Sequence, residues 1–135
     1  MHFAALFALT ALANPLCDDI ARLVEGAKEP IPFQELRDAD FKPRLLRYGC
    51  FPGGVGYFCQ QSMLPAEITR ESTVRQIAAC LPDAKITVEK QPGGPSETVI
   101  TASGLRFALE EAGSDRAQAG RLLRIQITAD RKSVV

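Results

Sequence analysis

Four cysteines, Cys17, Cys50, Cys59 and Cys80, follow an apolar leader in this chain, and that combination limits the fold more than any other feature. An even cysteine set behind a leader reads as two disulfides formed in an oxidising compartment. The leader is the apolar run Phe3 to Leu12, where Ala11-Leu12-Ala13 places small residues at the two positions a signal peptidase reads. It falls well short of the roughly 20 apolar residues that span a bilayer, and no later stretch is long and apolar enough to do so. Residues 1–13 are therefore expected to be a signal peptide, and residues 14–135 a single secreted or periplasmic domain without a membrane span. At 135 residues and 46% hydrophobic, the chain can bury one core but not two independent ones.

Cleavage after Ala13 removes His2, the one histidine. Without it, Ser-His-Asp and Cys-His catalysis, histidine general-base chemistry and His-containing zinc sites are closed to the mature protein. The cysteines form no C-x-x-C, so a thioredoxin-like centre and a zinc knuckle lack their signatures. Lys+Arg 16 balance Asp+Glu 16, leaving no basic excess for nucleic acid or anionic lipid. No nucleic acid partner, metal or cofactor is expected.

Asn14-Pro15 reads as an N-cap with proline at the first helical position, and Asp18 and Asp19 suit the positive end of the helix dipole. Leu16, Ile20, Leu23, Val24 and Ala27 then form one helical stripe, which Gly26 and Glu29-Pro30-Ile31-Pro32 bring to an end. Phe33 to Lys42 has room for a short helical turn. Arg44 to Phe51 and Val55 to Gln61 alternate around Pro52-Gly53-Gly54, the pattern of a β-hairpin. Ser72 can cap a second helix reaching about Leu81, with Pro82 beyond it. Ala84 to Lys90 and Glu97 to Ala102 flank a second Pro-Gly-Gly at 92–94, and strands follow through Leu105, Phe107 and Leu109 and through Leu123, Ile125 and Ile127. The repeated Pro-Gly-Gly reads either as turn chemistry or as the mark of a duplicated αββ unit. The expected fold is a two-layer α+β domain: a mainly antiparallel sheet of about five strands, two helices on one face and two disulfides.

Hairpin register bears on the cysteine pairing. A two-residue turn at Gly53-Gly54 leaves Cys50 and Cys59 diagonal, about 7–8 Å apart and beyond comfortable disulfide reach. A four-residue loop from Gly53 to Gly56 sets them face to face. Glycines at 53, 54 and 56 favour the longer loop, and with it the pairs Cys50–Cys59 and Cys17–Cys80, the latter tying the two helices together.

Catalytic constellations are scarce. Asp18-Asp19 and Glu110-Glu111 are neighbours in sequence, and neighbours on a helix or strand do not converge. There is no G-x-S-x-G, phosphate loop or calcium loop. Four of the nine aromatic residues, Tyr48, Phe51, Tyr57 and Phe58, fall on the first hairpin, and period two puts Phe51 and Phe58 on the face away from the cysteines. Those two rings either lie beneath the 29–43 segment or stand exposed beside Arg47, where aromatics and arginine anchor interfaces. The candidate partner-binding residues are Arg47, Phe51 and Phe58. The leading expectation is a small exported, disulfide-stabilised binding module that recognises another protein, as an inhibitor, an immunity-type protein or an envelope accessory protein does. A small-ligand or carbohydrate-binding domain with a cleft between helices and sheet is the alternative. A His-free hydrolase is a third reading; it requires a convergent Asp/Glu cluster, or Ser62, Ser72, Ser96 or Ser103 brought to Lys85 or Lys90.

Overall fold

The computed structural model describes residues 14–130 apart from Tyr48, Gln91, Pro95, Asp115 and Ala119. The leader, Tyr48 and the charged tail after Asp130 lie outside the described residues. Helix α1 (Pro15–Ala27) begins as its sequence asks: the Asn14 side chain accepts from the Leu16 N–H at 3.0 Å, and Pro15 occupies the first turn. Its stripe buries Ile20, Leu23 and Ala27. Gly26, expected to help stop the helix, lies inside it and is a packing residue. A Cβ there would come within 2.7 Å of Leu36 Cδ1, so glycine lets helix α2 (Gln34–Asp38) approach. Asp19 also departs from the expected role of dipole complement. Its buried carboxylate accepts from the Arg44 backbone N–H at 2.9 Å and from Arg44 Nε at 3.1 Å.

That contact explains the main difference in the first hairpin. Strand β1 is only Cys50–Gly53, because the amides expected to extend it bond side chains instead: Arg44 N–H goes to Asp19 and Arg47 N–H to Gln61 Oε1, at 3.1 Å. Strand β2 (Gly56–Gln61) pairs with β1 in the register Cys50↔Cys59 and Gly53↔Gly56. The turn residues are Gly54-Val55, and Gly54 has φ +58°, the region a tight hairpin turn needs at its first central position. Helix α3 (Arg70–Ala79) starts earlier than expected. Thr69 is its N-cap, and Ser72 closes a reciprocal capping box: its N–H donates to Thr69 Oγ1 at 3.0 Å and its hydroxyl accepts from the Thr69 N–H at 2.9 Å.

Strands β3 (Lys85–Lys90), β4 (Ser96–Ala102), β5 (Leu105–Gly113) and β6 (Arg121–Ala129) complete one sheet in the order β1-β2-β6-β5-β4-β3, antiparallel throughout. The sheet has six strands where about five were expected, since β6 accepts the first hairpin on its free side. Among the described residues there are three helices, one of them the short α2, where two were expected. The α+β class and the two disulfides stand: Cys17 is joined to Cys80 and Cys50 to Cys59. In the chain-entropy picture the bond spanning 63 residues contributes about 4 kcal/mol and the hairpin bond about 2.5–3 kcal/mol. Ile20, Leu23, Leu36, Val74 and Ile77 from the helices meet Tyr57, Phe107, Leu109, Leu123, Ile125 and Ile127 from one face of the sheet. No described helix is long and apolar enough to cross a membrane.

Candidate recognition surface

Period-two alternation gives the first hairpin two different faces. Inward, Cys50, Tyr57 and Cys59 are fully buried. Tyr57 meets Phe33 and Phe41 edge-on, with ring centroids 5.7 and 6.3 Å away, and burial pushes its phenol above the ordinary value. The 29–43 segment thus contributes Phe33, Leu36 and Phe41 to the core on this inner side. Phe33 reaches its place through a left-handed backbone, φ 63°.

Outward, Phe51 and Phe58 stand directly opposite each other across the two strands and remain 52% and 40% exposed. Val55, at the turn, is exposed beside them in sequence. The cation near this pair is Lys42, whose ammonium lies 5.9 Å from the Phe51 ring centroid, while Arg37 donates to the Gly54 carbonyl at the hairpin tip at 3.3 Å. Along the same sheet face, Phe58 neighbours Gln126 on β6, and Arg124 bridges Gln60 Oε1 at 3.3 Å and Glu110 at 3.0 Å. The patch is therefore a small apolar pair with a polar, partly charged border, the layout of a recognition surface.

The structure brings two of the three sequence-chosen residues together. Arg47 instead lines a groove of about 860 Å³ with Arg44, Leu46, Gln61, Ile68 and Gln76, between the 44–47 segment and α3. Among the described residues no aromatic ring lines that groove. Lys42 escaped sequence reasoning because it lies in the segment with the least periodicity. Its position next to Phe41, a core residue, is the signal that could have placed it at the rim.

Several other polar groups are held in structural contacts. Glu111 accepts from the Arg70 N–H at 2.8 Å on the helix side, and Glu110 pairs with Arg124 on the open side, so the two acids point apart as strand geometry requires. The Ser96 hydroxyl accepts from Arg70 at 3.1 Å, and Ser103 donates from its N–H and hydroxyl to Asp83 at 2.8 and 2.9 Å. Those two bonds hold the Asp83 carboxyl below its ordinary value. Among the described residues no cluster of three or more His, Cys, Asp or Glu side chains could hold a metal ion. No family model, curated protein or solved structure matches the chain.

Proposed function

We propose that this protein is an exported, disulfide-braced binding module that recognises a protein partner through the outer face of its first hairpin. The observation that carries the reading is the cross-strand pair Phe51 and Phe58, exposed on a sheet face opposite the helices. Two rings fixed on paired strands offer apolar contact with little side-chain entropy left to lose, which is what an interface anchor needs. The Cys50–Cys59 bond lies one residue from each ring and keeps their spacing rigid. Lys42, whose ammonium pairs with Asp40 at 3.1 Å, gives the ring pair a charged rim.

The small-ligand reading draws support from the Arg44–Gln76 groove, whose volume of about 860 Å³ lies in the range of ligand sites. Affinity capture from an envelope extract separates the two readings. The oxidised protein should retain a specific partner that the Phe51→Ser, Phe58→Ser double variant loses, with the melting temperature unchanged. Capture unaffected by the double substitution, or no captured protein together with a small molecule held in the groove, would contradict the proposal.

A further inference from the structure

Strand β3 is the outermost strand at the edge remote from the first hairpin, and all six of its residues are exposed. Such an edge carries a row of unpaired N–H and C=O groups, a template for another strand. Ile86 and Val88 point to the helix side yet remain 50% and 62% exposed, because α3 stops short of them. A cavity of about 300 Å³ separates Ile86 and Val88 from Val74, with Arg70, Glu71 and Arg75 around it. On the other side, Glu89 stands opposite Glu97, a like-charge pair with Arg106 at 3.8 Å from Glu89.

The occupant can be read from the strand itself. When two copies of one strand pair antiparallel about a two-fold axis, residues directly opposite must agree in hydrogen-bonding direction and in face. Both properties alternate with period two, so the axis must pass through a residue. With the axis at Thr87, Lys85 faces Glu89 twice on the open side, and Ile86 faces Val88 twice on the helix side. An axis at Val88 instead sets Ile86 against Lys90, and an axis at Ile86 sets Lys85 against Thr87. Lys-Ile-Thr-Val-Glu is therefore self-complementary in one register and mismatched in its neighbours. We propose that two copies of this chain join edge to edge through β3, antiparallel and centred on Thr87, merging two six-stranded sheets into one. The second copy's Lys85 brings a further cation to the Glu89–Glu97 pair, and four aliphatic side chains close over the gap beside α3. A single strand pair is a small interface, so the dimer is reversible.

Sedimentation equilibrium on the oxidised protein, from about 10 µM to about 1 mM, tests this. The mass should rise from one chain to two. Lys85→Glu and Glu89→Lys should each weaken association about tenfold or more, since each turns two opposite-charge contacts into two like-charge ones. An equimolar mixture of these two variants should associate, and the double exchange in one chain should restore the dimer. Circular dichroism should show every variant folded, because both side chains are exposed. A wild-type chain that stays monomeric throughout overturns the proposal. So does a dimer indifferent to these charges, and one lost instead in the Phe51→Ser, Phe58→Ser variant would place the contact on the first hairpin.

Discussion

Both hairpins carry Pro-Gly-Gly at or beside their turns, and the two hairpins form the opposite edges of one sheet, but they are finished differently. In β1–β2 the inner face is sealed: Tyr57 lies beneath Phe33 and Phe41, and a disulfide crosses the strands. The edge strand β1 is four residues long and contains Pro52, which has no N–H to offer. In β3–β4 the edge strand has six residues and no proline, and its inner face reaches past α3. Only Lys85, Glu89 and Lys90 restrict what can pair with it. Turn chemistry makes a hairpin; what packs on it afterwards decides whether its edge is closed or available.

The contrast is open to direct attack, and the largest effect should come from the cores of the two edges. Tyr57→Ala removes a buried ring and should cost about 3–5 kcal/mol in denaturant unfolding, whereas Val88→Ala should cost less than about 0.5 kcal/mol at dilutions where the chain is monomeric. Equal costs would erase the distinction. Next in size is the hairpin bond: replacing Cys50 and Cys59 together by Ala should lower stability by about 2.5–3 kcal/mol. A loss below about 1 kcal/mol would mean that aromatic packing alone closes this edge. Replacing Phe51 and Phe58 by Ser should change stability by less than about 1 kcal/mol, because both rings are already in contact with water. A loss comparable to that of Tyr57→Ala would make them core residues.

The smallest effect is electrostatic and belongs to the second half of the sheet. Hydrogen bonds from Ser103 hold the Asp83 carboxyl below its ordinary value of 3.8. A lowered folded value means that the contribution is present above the unfolded value and is lost as pH falls through the folded one. Stability should therefore decline as pH is taken from about 5 to about 2, and Asp83→Asn should flatten part of that slope. An unchanged slope in the variant would remove Asp83 from the account.

Periodicity made the two longer helices, the strands and both hairpins legible, since each buries one face at its own repeat. The glycines at 53, 54 and 56 likewise pointed to the register in which Cys50 faces Cys59. Contacts between segments distant in sequence were beyond the same reasoning. Asp19 and Arg44 are 25 residues apart, and no local pattern shows that an acid near the start of a helix will capture an amide expected to open a strand. Gly26 misled for a related reason, because helix-stopping and close-packing glycines look alike until the partner helix is known. At the candidate surface, alternation placed Phe51 and Phe58 on one face, but the side taken by the 29–43 segment depended on tertiary packing. The exposure of Ile86 and Val88 was hidden too, since strand alternation says which face they share and not how far a helix extends over it.

Amide hydrogen exchange followed by peptide mass spectrometry tests the open-edge account most directly, because it reads both hairpins in one experiment. At about 5 µM the paired amides of β1–β2 should be strongly protected, while the β3 amides that face away from β4 exchange quickly. At about 1 mM the β3 segment alone should gain protection as the second copy covers it. Protection of β3 equal to that of β1–β2 at the lower concentration would contradict an open edge, and unchanged rapid exchange at the higher one would contradict its pairing.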